Sequence, residues 1–333
     1  MAKLSIIMPT YNVGEYIGKA IESVFNQSYK DWELLIVDDG STDNSIAECI
    51  EFAKKDNRIK ILHKSNGGLS DARNFGLTHA SGQYIHFFDP DDYLKGEFYS
   101  ELLKKIESEK ADIVISGYKV EYQYNTYDER KLITRNCIVD SNSKFTYSKS
   151  SSPLEFVCYA FNKIFLKDFL IKQKLEYEKG LSRIEDAEFM SRVIQHNPKI
   201  AYLEKGTYVY VQRGFETLNK GFDDYIISLA LRRIYIDIKL INYFMDLPDD
   251  FKFSLEDRIK SGKMVACINR LFSSQYGKES IRRNYYLKEI KKLLKPTHFY
   301  PCRKGVKSVF DLLTYYGLKY NLFSLITFIQ RCR

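Results

Sequence analysis

The sequence predicts an α/β fold, with a mostly parallel sheet, helices on both faces and a mainly helical C-terminal region. Three observations carry that expectation. Short apolar runs at Lys3–Met8, Glu33–Val37, Arg58–His63 and Tyr84–Phe88 alternate with stretches of helical spacing. These runs are largely continuous in apolar character, as strands covered on both faces are. From Phe222 onward the spacing is almost wholly helical, with breaks at Pro248 and Pro296.

The elements follow in order. Leu4-Ser5-Ile6-Ile7-Met8 is a first strand closed by Pro9, and Val13–Phe25 places Ile17, Ile21, Val24 and Phe25 on one helical face. Glu33–Val37 is a second strand ending at Asp38-Asp39-Gly40. Ser41-Thr42-Asp43 offers N-cap candidates for a helix through Ile46, Ile50 and Phe52. Arg58–His63 is a third strand, Asp71–Ala80 a helix, and Tyr84–Phe88 a fourth strand. Residues 121–152 are polar and rich in Ser, Thr and Tyr, and read either as a hairpin region or as a flap over a site. Helical spacing returns at Leu154–Leu175 and Glu185–Gln195, followed by strand-like Lys199–Val211. The expected division is a catalytic domain over residues 1–215 and a basic helical region over 216–333.

The chemistry concentrates at the exits of the strands, where open parallel sheets bind ligands. Asp89-Pro90-Asp91-Asp92 follows the apolar run Tyr84–Phe88. Carboxylates this close repel one another unless a cation sits among them, and an Asp-x-Asp pair offers two hard oxygen ligands suited to Mg²⁺ or Mn²⁺. A plain turn is the alternative reading, because Asp and Pro favour turns on backbone grounds alone. At the second strand, Asp38-Asp39-Gly40-Ser41-Thr42-Asp43 either accepts hydrogen bonds from a base or ribose, or caps a helix. Asn66-Gly67-Gly68-Leu69-Ser70-Asp71-Ala72-Arg73-Asn74-Phe75-Gly76 combines glycines that permit close backbone approach with an arginine near a helix start. Ile184-Glu185-Asp186 puts acidic residues where a helix begins, which a helix dipole also explains.

Together and in this order these segments resemble family 2 of the inverting glycosyltransferases, which have the GT-A fold. The matching pieces are P-T-Y-N at 9–12, V-D-D-G-S-T-D at 37–43, N-G-G-L-S-x-A-R-N-x-G at 66–76, A-S-G-Q-Y at 80–84, F-x-D-P-D-D at 87–92 and E-D at 185–186. The resemblance is dense over residues 3–95 and thinner to about 215. It implies that Pro9, Thr10 and Tyr11 line a uridine pocket, that Asp39 hydrogen-bonds the uracil, and that Asn66 touches the nucleotide. It implies that Arg73 approaches the diphosphate, that Asp89 and Asp91 form the metal-binding pair for Mn²⁺ or Mg²⁺, with Asp89 also facing ribose or sugar, and that Asp186 is the general base. Tyr208-Val209-Tyr210-Val211-Gln212-Arg213 resembles the family's Y-x-Y-x-x-R segment, which gives Arg213 a place in a loop closing over the diphosphate. The partners implied are a UDP-sugar donor and a glycan or glycolipid acceptor, such as a growing lipooligosaccharide or capsule. His86 reads as structural.

Composition sets the remaining bounds. The six cysteines (49, 137, 158, 267, 302 and 332) form no C-x-x-C pair and no metal spacing, and read as reduced thiols. The net charge of +8 is unevenly spread, with 17 Lys and Arg against 3 Asp and Glu from Arg258 to the end, so the remainder is net acidic. A basic tail on an acidic body points to an anionic surface met by the tail, and the acidic body argues against nucleic acid as partner. Val306, Val309, Phe310, Leu313 and Tyr316 share one helical face, and the apolar run Tyr320–Ile329 is too short to span a bilayer. The expectation is a cytoplasmic enzyme lying peripherally on the inner face of the plasma membrane. Packing of the tail on the body, or a homo-oligomer contact through the C-terminal helices, is the competing reading. No G-x-G-x-x-G follows the first strand, against a dinucleotide oxidoreductase. Nor does a Gly-rich, Lys-containing phosphate loop stand there, against a sugar nucleotidyltransferase. A nucleotide-sugar-binding protein without transferase activity is the other alternative.

Overall fold

A computed structural model of the chain describes residues 2–122, 126–130, 138–139, 145–146, 157–181, 183–213 and 224–246. The first half follows the expected alternation. It runs β1 (Leu4–Thr10), α1 (Ile17–Phe25), β2 (Trp32–Asp38), α2 (Ser45–Ala53), β3 (Ile59–His63), α3 (Leu69–His79) and β4 (Tyr84–Phe87). Then come β5 (Tyr93–Leu94), α4 (Phe98–Glu109), β6 (Ile113–Tyr122), β7 (Thr126–Arg130), β8 (Ile138–Val139) and β9 (Phe145–Thr146). The remainder is β10 (Lys163–Leu166), α5 (Lys167–Lys172), α6 (Glu185–Val193), β11 (Ile200–Val211), α7 (Asp224–Phe244) and β12 (Met245–Asp246).

The main sheet has the order β3-β2-β1-β4-β10-β6-β11-β5. Its first four strands are parallel, and β1 is wholly buried, as continuous apolar strands between helices must be. The strand order reverses at β1, which has β2 on one side and β4 on the other. Open α/β sheets bind ligands in the crevice at such a switch point. Register then fixes what lines that crevice: Thr10 sits beside Asp38, and Ile7 beside Phe87, so the Asp89 turn leaves β4 next to the end of β1. Beyond β4 the sheet becomes mixed, because β10 runs antiparallel to both β4 and β6, while β11 is parallel to β6. Gly206 sits at a register shift in β11, where a Cβ would lie 2.7 Å from the Tyr118 backbone nitrogen.

The lower rim of the sheet is pinned by one carboxylate. Glu33 Oε1 accepts from the Ser5 hydroxyl (2.7 Å), the Ser81 amide (2.6 Å) and the Ser81 hydroxyl (2.7 Å), and Oε2 pairs with Lys60 at 2.7 Å. Burial opposes the ionised form, but Lys60 and the serines outweigh it and hold Glu33 down at about 2. Gly82 donates its amide to Ser5 Oγ at 2.8 Å and leaves no room for a Cβ, which would stand 2.6 Å from the Ser5 nitrogen. The A-S-G-Q-Y segment is therefore a strand entry built for close backbone approach.

Several elements differ from the sequence expectation. The helix expected from Val13 begins at Ile17, because the Val13 amide donates to Ser45 Oγ (2.8 Å) and the Gly14 amide to Asp43 Oδ2 (3.0 Å). Lys163–Leu166, expected as helix, is a strand, since this apolar run fills the slot between β4 and β6 and spacing alone does not separate a short buried strand from a helix. Within 121–152, β6 and β7 form an antiparallel hairpin. The expected helix through Ile46, Ile50 and Phe52 is α2; it buries Ser45 and Cys49 and leaves Ile50 41% exposed.

The chain divides into two compact units, residues 1–214 with 243–246, and 215–242 with 247–333. Within the second unit, α7 carries an i,i+4 ion pair between Arg233 and buried Asp237 at 2.5 Å. Among the described residues no helix is long and apolar enough to cross a membrane. The basic tail, with the amphipathic stretch Val306–Ile329, lies outside the described residues.

Candidate active site

The upper rim is built from three loops. Backbone chemistry laces the first two together: the Asp39 amide donates to Thr10 O at 2.9 Å, and Asn12, at φ +50°, accepts the Thr42 amide on its side-chain oxygen at 2.8 Å. Pro9 and Thr10 are buried at the end of β1, whereas the Tyr11 side chain is half exposed just beyond it. The Asp39 carboxylate is buried and accepts from the amides of Gly67 (2.9 Å) and Gly68 (2.7 Å) and from Lys64 (2.5 Å). It thereby ties the third loop to the second, and Asn66 is exposed beside it, its amide nitrogen 3.3 Å from where a Gly40 Cβ would stand. Lys64 also bridges to Asp71 at 2.7 Å. Gly68, at φ +85°, leads directly into α3.

Arg73 is held by two carboxylates of the protein itself. On the buried face of α3 it is only 1% exposed and donates from Nη1 to Asp186 Oδ1 (2.5 Å) and from Nη2 to Asp89 Oδ1 (3.0 Å). Its guanidinium lies 4.9 Å from the centre of the Tyr177 ring, and Nε is buried with no hydrogen-bond partner among the described residues. Burial works against the charged form, yet Asp186 foremost and then Tyr177 and Asp89 hold the guanidinium firmly protonated. One cation thus sets the two carboxylates apart across 97 residues of sequence, from the exit of β4 to the first turn of α6. Asp186 Oδ2 accepts the Ala160 amide at 3.0 Å, so both of its oxygens are oriented, and its side chain remains 16% exposed.

The Asp-Pro-Asp-Asp turn separates its three carboxylates by role. Asp89 faces Arg73. Burial drives its pKa up to about 7 and the Asp186 and Asp91 charges add to the rise, against the opposing pull of Arg73. Asp91 is the most open, 44% exposed, and pairs through Oδ2 with Arg213 Nη1 at 2.8 Å. Asp92 is buried, accepting from Tyr208 OH (2.7 Å) and the Val211 amide (2.9 Å), which clamps the turn to β11. Arg213 also donates to the Asp91 carbonyl and stacks 3.8 Å over the Tyr16 ring.

These groups suit a divalent cation held jointly with a diphosphate. The donors are hard carboxylate oxygens, and Asp91 is the most exposed of the three in the turn, with Asp89 partly exposed beside it. Among the described residues no group of three or more potential ligands converges. Mg²⁺ and Mn²⁺ are commonly held by one or two carboxylates plus substrate phosphates, which is the arrangement these residues fit.

Sequence reasoning did not find Asp92 and Tyr208 as a clamp, Lys64 as the partner of Asp39, or the Ala160 amide behind Asp186. Strand alternation at Tyr208-Val209-Tyr210 places Tyr208 on a face, but nothing in sequence gives its distant partner. His86 is structural as expected: it is buried, lies 2.7 Å from Phe161 O and 3.1 Å from Tyr99 OH, and burial brings it down to about 4.

The sheet with its switch point at β1 and the Asp-Pro-Asp-Asp turn at the exit of β4 has the mixed α/β architecture of the GT-A fold. The model of glycosyl transferase family 2 matches residues 5–173. Glycosyltransferase GlyG of Streptococcus pneumoniae is 30% identical over 273 residues, covering 76% of this chain and 89% of that protein. The uncharacterized glycosyltransferase EpsJ of Bacillus subtilis is 31% identical over 208 residues, covering 62% of this chain and 60% of EpsJ. The chain belongs to glycosyl transferase family 2. The crystal structure of Staphylococcus aureus TarS residues 1–349 in complex with UDP-GlcNAc matches 99% of the chain and 90% of its own, with a TM-score of 0.63 at 19% identity, a likeness of fold.

Proposed function

We propose that this chain moves a hexose or N-acetylhexosamine from a UDP-sugar to a hydroxyl of a surface-glycan acceptor with inversion, Asp186 acting as general base. The carrying observation is the Asp89–Arg73–Asp186 bridge, which fixes a partly exposed carboxylate opposite the exit of β4. In this reading the nucleotide lies over the ends of β1 and β2. The exposed Tyr11 ring stacks on the uracil, Pro9 and Thr10 form the floor, and Asp39 reaches the base edge with its remaining lone pair, with Asn66 beside it. Asp91, aided by Asp89, would hold Mn²⁺ or Mg²⁺, whose charge offsets that of the departing diphosphate. Arg213 leaves Asp91 for the diphosphate when donor binds. Asp186 accepts the proton of the acceptor hydroxyl as it attacks the anomeric carbon from the face opposite the leaving group. Arg73 keeps base and donor site in register.

The UDP-GlcNAc held by TarS makes that nucleotide sugar the first to try. A panel of UDP- and GDP-sugars with Mn²⁺ or Mg²⁺, read by thermal stabilisation and by release of nucleoside diphosphate, tests the reading. Stabilisation and release by a UDP-sugar support it. Stabilisation by UDP-sugars with no release under any metal condition would identify a binding protein instead. The basic tail adds a proposal about place: the enzyme lies peripherally on the cytoplasmic face of an anionic membrane.

A further inference from the structure

Behind the base stands a buried cation to which the mechanism above gives no part. Lys163, in β10, is fully buried, an expensive location for an amine. Its Nζ donates to Asn162 Oδ1 at 2.7 Å and to the Tyr159 carbonyl oxygen. That carbonyl belongs to the same peptide unit as the Ala160 amide, which donates to Asp186 Oδ2 at 3.0 Å. The unit therefore has an ammonium at its oxygen end and the acidic carboxylate at its nitrogen end. A hydrogen bond at the carbonyl polarises the peptide and strengthens the donor at the other end. The far side is anchored as well: Asn162 Nδ2 donates to Ser116 O at 2.9 Å, and the Ser116 amide returns a bond to Asn162 O at 2.9 Å, tying the assembly to β6.

We infer that Lys163 is a positioning residue for Asp186, acting through the Tyr159–Ala160 peptide to hold the carboxylate at the angle from which it takes the acceptor's proton. The inference rests on Asp186 being the base. Among the described residues, the charged and titratable groups that act on Asp186 include Arg73 from α3, Asp89 from the β4 exit, Tyr177 and Lys163 itself, with Glu185 beside it on its own helix. Those facing Lys163 are Cys158 and Asp186. Burial lowers the Lys163 pKa to about 7, with Cys158 and Asp186 pulling the other way, so the ammonium form persists into the neutral range.

The test uses the full chain, UDP-GlcNAc with Mn²⁺ as probe, and hydrogen exchange at the Ala160 amide. In Lys163→Met, turnover should fall about tenfold or more while UDP affinity stays within about twofold, the pattern of a group felt only in the transition state. The Ala160 amide should exchange at least about tenfold faster, with the slowest β1 amides unchanged. Lys163→Arg, which keeps a cationic donor, should recover most of the turnover. In an Asp186→Asn background, Lys163→Met should cause no further loss, because the two act as one unit. Unchanged Ala160 exchange in Lys163→Met overturns the inference, as does full additivity with Asp186→Asn or a loss of UDP affinity in step with turnover. Should the Met variant not fold, Lys163→Gln removes the charge and draws the donor back by one bond, and wild-type turnover together with wild-type exchange at Ala160 in that variant is equally contrary. Normal turnover in Asp186→Asn alone would instead remove the base assignment, a failure separate from that of the Lys163 contact.

Discussion

At the scale of residues, the site is organised by pairing rather than by exposure. Arg73 shows why. The motif at 66–76 singles it out in sequence, but its partners lie 16 and 113 positions away, and only the fold brings them within 3.0 Å and 2.5 Å. A sequence reading sees an arginine near a helix start; the two carboxylates it bridges are visible only in the fold. Breaking a buried ion pair from one side leaves an uncompensated charge, so Arg73→Met should cost about 3–5 kcal/mol of stability. Arg73→Lys should be only a partial rescue, because an ammonium lacks the fork that reaches both acids. Urea unfolding of the three proteins measures this. A melting midpoint in Arg73→Met equal to wild type would show that the bridge contributes nothing.

At the scale of elements, β1, β2 and β4 are readable because each is a largely continuous apolar run ending in turn chemistry, and β3 because Ile59, Ile61 and Leu62 stand between two helical stretches. The Asp-x-Asp motif was readable as a strand exit for the same reason. β10 was not, since Lys163-Ile164-Phe165-Leu166 carries no period of its own and is a strand only because β4 and β6 flank it. The lower rim supplies a pH prediction. Glu33 is held at about 2 in the fold against 4.5 as its ordinary value. A depressed acid stabilises fully above the ordinary pKa and loses its contribution as pH falls through the folded one. Glu33→Gln should therefore cost about 2–3 kcal/mol at neutral pH, a gap that narrows below about pH 4.5 and closes toward pH 2. Denaturant titrations of both proteins between pH 7 and pH 3 would show it, and a gap independent of pH would mean that Glu33 acts by packing alone.

At the scale of the whole molecule, the proposal places nucleotide chemistry in residues 1–213 and membrane attachment in the basic tail, and the uneven charge along the sequence motivates that division. Its 17 cationic residues against 3 acidic ones should bring the protein to anionic vesicles, with about 1 kcal/mol from each charge near the surface. Deleting residues 302–333, which removes six of those cations together with the amphipathic stretch Val306–Ile329, should weaken binding to phosphatidylserine vesicles in a flotation assay and leave UDP-sugar hydrolysis intact. Vesicle binding unchanged by the deletion would contradict this assignment. The central claim, that Asp186 takes the acceptor's proton, is tested most directly by measuring UDP affinity and turnover side by side in Asp186→Asn. The amide keeps the shape but cannot accept the proton, so turnover should fall by about 10² or more with UDP affinity almost unchanged. Turnover within a few fold of wild type, or a loss of UDP binding matching the loss of turnover, would contradict it.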